Sequence, residues 1–168
     1  MDSFEALIVN VFADRDLSPD EIPRLDLYMD QVLTLFEDGF SAMTRNPEDK
    51  LLTKTMVNNY SKEKLLLPLK GKKYSRQQIM QLLCICMLKQ ELSLQDIRSL
   101  TCADGIDFEA CYHTFLQKKE RIREFIPPEL STFAVDLNDP SQRLSLCLSL
   151  TAVAAYMRRL CEAIIDAK

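Results

Sequence analysis

Glycine is scarce in this chain, with three in 168 residues, and tryptophan is absent. With Gly39, Gly71 and Gly105 alone, no phosphate-cradling loop of the mononucleotide or dinucleotide type can be built. So few glycines also leave little room for hairpins and favour helices. Histidine occurs once, at position 113, beside Tyr112, and no acid, histidine and nucleophile set accompanies it. None of the six cysteines (84, 86, 102, 111, 147 and 161) has C-x-x-C spacing. Cys84 and Cys86 are two apart on an expected helix and point to different faces, so a metal pair is not expected there. Cys111 and His113 are separated in the same way. Catalytic, metal and cofactor sites are therefore not expected, and the reading is of a non-enzyme.

The thiols fall mostly in apolar helical patterns, where a free cysteine behaves as a small hydrophobe. A reduced, cytoplasmic setting fits them better than a disulfide framework. Acidic residues come early at the N-terminus, with no basic flank before an apolar run, so a signal peptide is not expected. The longest apolar-rich stretch, 144–157, contains Ser145, Ser149 and Thr151 and ends at Arg158 and Arg159. It reads as too short and too polar for a bilayer span of about 20 residues, and as a buried core helix.

What the chain does have is charge asymmetry. Residues 50–76 hold eight Lys/Arg and a single acid, Glu63, a local charge of +7 in a chain whose net charge is −4. A basic patch on an acidic body is the footprint of a surface that meets polyanions.

Apolar spacing predicts helices over 2–13, 25–43, 53–64, 75–90, 93–100, 107–125 and 141–167. Ser18 before Pro19 marks a further helix start, interrupted at Pro23. Residues 44–47 read as a turn. Ser75 with Gln78 and Ser93 with Asp96 form capping patterns. Residues 79–88 are apolar nearly all round, which predicts the central buried helix. Pro127 and Pro128 are expected to end the sixth helix, and Gly39 to weaken the end of the second. Residues 65–74 read as a short extended or hairpin segment around Gly71.

At 100° per residue the helix from Thr53 divides into two faces. Met56, Val57 and Tyr60 form the packing face. Lys54, Thr55, Asn58, Asn59 and Lys62 form the other. Asn can pair bidentately with adenine, Thr can touch a thymine methyl or phosphate, and Lys can reach phosphate or guanine. Asn is a mediocre helix former, so two in succession suggest a purpose beyond helix stability. Downstream, Leu65-Leu66-Leu67-Pro68 turns the chain back. Lys70, Lys72 and Lys73 then surround Gly71, with Tyr74 and Arg76 after them, as a basic wing would.

The order Met56-Val57-Asn58-Asn59-Tyr60, Leu66-Leu67-Pro68, Lys70 to Tyr74, an apolar helix from Ser75, then Ser93-Leu94-Gln95-Asp96-Ile97 resembles the DNA-binding domain of MerR-type winged helix-turn-helix regulators. Lys64 stands where that family usually has glycine, Asn58 where it has arginine, and the wing is shorter. The blocks LDLYMDQV (25–32) and LTKTMVNNY (52–60) resemble a bacterial family of uncharacterised proteins with a MerR-like domain, a closer match over more of the chain.

The resemblance implies a mainly α fold with a small β wing. It would comprise an N-terminal helical segment (1–23), a winged helix-turn-helix (24–104) and a C-terminal helical lobe (105–168). It implies a transcription regulator binding double-stranded DNA through Thr53, Lys54, Thr55, Asn58, Asn59, Tyr60, Lys62, Lys70, Lys72, Lys73, Tyr74 and Arg76. Tyr60 and Tyr74 read as packing residues whose hydroxyls reach a phosphate or the backbone. The alternative is a protein-interaction module whose basic winged surface binds an acidic partner. In the last helix, Leu146, Leu150, Val153, Met157, Leu160 and Ile164 share a stripe that either packs within the chain or forms a homodimer. Neither a membrane partner nor a cofactor is expected, and an effector is neither supported nor excluded.

Overall fold

The computed structural model describes residues 3–40, 44–46, 48–69 and 71–167. Among these, the elements are helix α1 (Phe4–Phe12), a 3-10 turn (Pro19–Glu21), strand β1 (Leu27–Tyr28), α2 (Met29–Phe40), α3 (Lys54–Lys62), β2 (Lys73–Tyr74), α4 (Arg76–Leu88), α5 (Leu94–Thr101), α6 (Phe108–Ser131) and α7 (Pro140–Asp166). The protein is mainly α, with one two-stranded sheet among the described residues. Asp2, Met43, Pro47 and Lys70, on which a helix start, a helix end, a turn and a wing residue were expected, lie outside the described residues.

Two compact units form. One is Arg15–Leu116; the other joins Met1–Asp14 to Gln117–Lys168. The core of the first is built on α4. Its Ile79, Met80, Leu82, Leu83 and Ile85 have no measurable exposure, as the all-round apolar pattern predicts. The Ser75 hydroxyl accepts from the Gln78 amide and the Gln78 side chain accepts from the Ser75 amide, a complete capping box. Val32, Phe36, Val57, Tyr60, Ile97 and Tyr112 complete this core from α2, α3, α5 and α6.

The second expected helix begins later than its apolar spacing suggested. Leu27 and Tyr28 are extended and pair antiparallel with Tyr74 and Lys73. Gly39 is buried inside α2, where an added Cβ would stand 3.3 Å from Leu17 Cδ1. It marks a close approach to Leu17; the residues after Phe40, where a weakened helix end was expected, lie outside the described residues.

Of the extended or hairpin segment expected over 65–74, no local hairpin forms among the described residues. Leu65 and Leu66 are buried, and Gln78 and Gln81 hold the backbone of residues 65–68 against α4. The arm before Gly71 is therefore already bonded elsewhere, and β2 finds its partner in β1.

Helix α3 ends in a Schellman arrangement. The Leu65 amide donates to Tyr60 O at 2.8 Å and the Lys64 amide to Ser61 O at 3.1 Å. Lys64 takes φ 56°, the left-handed conformation usually given to glycine. A side chain there costs about 1–2 kcal/mol, partly offset by a lysine's attraction to the helix C-terminus of about 0.3–1 kcal/mol. Lys64→Gly is expected to stabilise the unit by roughly 0.5–1 kcal/mol, read as a higher urea midpoint with an unchanged slope.

In the other unit, Asp14 sits between Lys119 Nζ (2.5 Å) and Arg123 Nη2 (2.7 Å). Burial pushes its carboxyl up, but the hydrogen bonds and charge of the two cations outweigh burial and hold it below its ordinary value. Helix α6 runs through Pro127 and Pro128 to Ser131 rather than stopping before them. Proline's fixed φ is helical, and the pair falls within the final turns, where Ser131 Oγ donates to Pro127 O at 2.9 Å.

Helix α7 departs furthest from expectation. Asp139 caps it through the amides of Ser141 and Gln142, Pro140 opens it, and it continues past Arg158, which pairs with Glu162 at 3.7 Å. It contains no buried residue, so the reading of 144–157 as a buried core helix is overturned. It is also the one helix among the described residues long and apolar enough to cross a membrane by length and composition. The short, polar reading counted only the stretch before the arginines, which the helix outruns at both ends.

Candidate functional site

Three elements build the basic surface of the Arg15–Leu116 unit. Helix α3 begins at Thr53, whose hydroxyl accepts from the Met56 amide at 3.2 Å. Val57 and Tyr60 are buried and Met56 half-buried, which fixes the helix's rotation. Lys54, Thr55, Asn58, Asn59 and Lys62 are all exposed, on the face opposite the core. The division into a packing face and an amide-lysine face is thus present in three dimensions. Among the described residues, no ion pair engages Lys54, Lys62 or Lys72.

The second element is the tip at Gly71, which takes φ 85° with nothing near a would-be Cβ. Lys72 and Lys73 follow it and are exposed. Lys73 lies over the Tyr28 ring, its Nζ 4.8 Å from the centroid. That cation–π contact braces the lysine across the strand pair and leaves its charge accessible.

The third element is the strap of residues 65–68, held by two glutamines: Gln78, expected only as part of a helix cap, and Gln81, which the sequence reading passed over. Gln81, 1% exposed, accepts from the Leu67 amide at 2.8 Å and donates to Leu65 O at 3.0 Å and Thr101 O at 3.3 Å. Gln78 donates to Leu67 O at 3.1 Å and Pro68 O at 2.9 Å while completing its capping box. The chain between α3 and the tip is thereby tied to α4. The signal lay in two amides, three apart, inside an otherwise apolar helix.

Three expected site residues turn inward. Tyr60 and Tyr74 are each 4% exposed, and burial pushes the Tyr60 phenol up to about 12 and raises that of Tyr74. Their place in the core agrees with the packing role expected for the rings. Arg76 is engaged instead as a clamp. Its guanidinium donates to Glu109 Oε1 at 2.7 Å and Oε2 at 3.0 Å, to Pro19 O at 2.9 Å and to Ile22 O at 2.5 Å. Four of the fork's five donors are used, so the guanidinium has little left for an external phosphate.

The cysteines also differ from expectation. Cys86 is buried and Cys84 half-buried, but Cys102, Cys111, Cys147 and Cys161 are exposed. Burial pushes the Cys84 and Cys86 thiols up to about 12, which keeps these two unreactive.

The family profile described as "Domain of unknown function (DUF1836)" matches residues 17–115, more than half of the chain. The chain belongs to the DUF1836 family. No curated protein and no solved structure matches it. The DUF1836 match nearly coincides with the compact unit Arg15–Leu116. The α3 face, the Gly71 tip and the glutamine-held strap all lie inside it, and α7 lies outside.

Proposed function

We propose that the DUF1836 unit of this protein is a winged helix-turn-helix DNA-binding module of the MerR-like kind, and that the protein regulates transcription. The observation that carries this reading is the exposed face of α3. Lys54, Thr55, Asn58, Asn59 and Lys62 point outward together, while Val57 and Tyr60 anchor the helix from behind.

An α-helix fits the major groove of B-DNA. With α3 in the groove, the two amides lie where base edges are read and the lysines where phosphates pass. Lys72 and Lys73 beside Gly71 serve as the wing, holding the adjacent backbone. In this arrangement the β1–β2 pair and the Gln78 and Gln81 strap set the distance from wing to helix. Arg76, Tyr60 and Tyr74 support the surface from inside.

The test is selection of bound fragments from a genomic library, followed by binding to the selected fragment at several salt concentrations. Affinity is expected to fall steeply with salt through counterion release. Lys72→Ala and Lys62→Ala should weaken binding to all sequences and reduce the salt slope by about 1 each. Asn58→Ala should lose about 1–3 kcal/mol of preference at the base pairs it reads and leave non-specific binding nearly unchanged. Absence of any bound fragment at low salt would refute the proposal.

A further inference from the structure

A cavity of about 530 Å³ lies within the Arg15–Leu116 unit, between the C-terminal ends of α3 and α5 and the strap that links α3 to the tip. That volume falls in the range of small-molecule sites, about 300–1,000 Å³. Leu66, Leu67, Pro68, Ile106 and Phe108 supply its apolar lining. Neither the exposed face of α3 nor the lysines at the tip line it.

Most polar groups of this lining are already committed. Ser61 Oγ donates to Val57 O at 3.0 Å and Thr101 Oγ1 to Ile97 O at 2.8 Å. The Gln81 amide serves the strap and Thr101 O. The Cys102 thiol donates to Lys64 O at 3.5 Å. Two charges remain. Lys64 and Asp104 both line the cavity and are exposed. Among the described residues, neither forms an ion pair with the other or with a third group. Opposite charges that line one cavity without closing on each other suit a ligand that carries both. Lys64 also keeps its side chain on a left-handed backbone, φ 56°, which glycine would adopt without strain. Strain of this kind collects where a side chain serves a ligand.

Charge gives a small zwitterion one direction in this cavity. A carboxylate goes to the Lys64 ammonium. An ammonium goes to Asp104, which follows the C-terminus of α5, where the carbonyl dipoles also favour a cation. A phosphate, or a second carboxylate, would add negative charge beside Asp104 with no further cation in the lining to meet it. The apolar lining takes a hydrocarbon side chain.

We propose that this cavity binds an α-amino acid with an apolar side chain, its carboxylate on Lys64 and its ammonium on Asp104. Such binding is independent of any contact with DNA.

The test is titration calorimetry on the full-length chain with L-leucine and L-phenylalanine, and with leucinamide and N-acetylleucine, which each lack one charge. Both amino acids are expected to bind in the millimolar range or tighter, and each derivative about tenfold more weakly than leucine. Lys64→Gly should lose about tenfold in leucine affinity while its urea midpoint stays at or above wild type, so unfolding cannot mimic the loss. Leucinamide, which has no carboxylate, should bind Lys64→Gly as it binds wild type. Asp104→Asn should likewise weaken leucine and leave N-acetylleucine unchanged. In the wild type, leucine should slow alkylation of Cys102, which lines the cavity, and not that of Cys161, read by peptide mass mapping. No binding of either amino acid at millimolar concentration would overturn the proposal. So would binding that both variants leave unchanged, binding without protection of Cys102, or derivatives that bind as tightly as leucine.

Discussion

Replacing Gln81 with leucine lowers the stability of the Arg15–Leu116 unit by about 3 kcal/mol, the largest effect expected from any single polar residue in the chain. Leucine fills nearly the same volume, so packing changes little. What is lost is a set of three hydrogen bonds, to the Leu67 amide, Leu65 O and Thr101 O. Each backbone group left without a partner costs about 1–3 kcal/mol where water cannot reach it. The Leu67 end is partly exposed and can rehydrate; the Leu65 end cannot, because Leu65 is fully buried. For a unit of this size the loss corresponds to a melting temperature lower by roughly 15 °C. Gln77→Leu, one turn-edge away and exposed, should leave the midpoint unmoved. A urea midpoint for Gln81→Leu equal to wild type would show that the amide's bonds are replaceable. The same variant frees the strap between α3 and the tip, so any ligand that contacts both should bind it more weakly.

The second large effect is expected at Arg76. Arg76→Met removes four donated bonds at once and should cost about 2–3 kcal/mol, since bonds made by an ionised donor are the strong kind. Arg76→Lys should recover only part of this, because a single ammonium cannot span Glu109 and the carbonyls of Pro19 and Ile22 together. The pair also has a pH signature. The hydrogen bond from Arg76 is the main cause holding the Glu109 carboxyl below its ordinary value, and its charge adds to this. A carboxyl lowered by folding stabilises the fold above its unfolded pKa of about 4.3, and that contribution disappears as pH falls through the lowered value. The stability gap between wild type and Arg76→Met should therefore narrow in acid. Denaturation at neutral pH and again below the ordinary glutamate range measures it. A gap that stays constant would mean that the two backbone carbonyls, and not Glu109, carry the clamp.

Much of the Arg15–Leu116 unit was legible from local rules. The Thr53, Ser75 and Ser93 caps, the two-sided character of α3 and the burial of α4 follow from periodicity and hydrogen-bonding preferences that act within a few residues. The misreadings share a different origin. β1 pairs with β2 across a long stretch that includes α2 and α3, and no local pattern announces that. Arg76 looked like part of a basic run because its acid, Glu109, is distant in sequence. Gln81 was read through its apolar neighbours, although a lone amide in such a helix must be satisfied when buried. For α7, apolar residues were equated with burial. The structure shows instead a helix with no buried residue, so apolar spacing did not amount to burial within the chain. Of the candidate site, the α3 face was readable outright; which of the flanking basic residues remain available was not.

The strand pair has a further consequence for modularity. Because Lys73 and Tyr74 are completed by Leu27 and Tyr28, the basic tip is not a self-contained hairpin that can be excised or grafted. Its shape is written half in the residues that precede α2. A fragment beginning after Tyr28 would keep every lysine of the basic run and yet lack the strand and the aromatic ring that hold Lys73 in place. The smallest portable piece of this surface is therefore close to the whole family domain, and inserting only the lysine-rich segment into another scaffold would transfer its charge without its geometry.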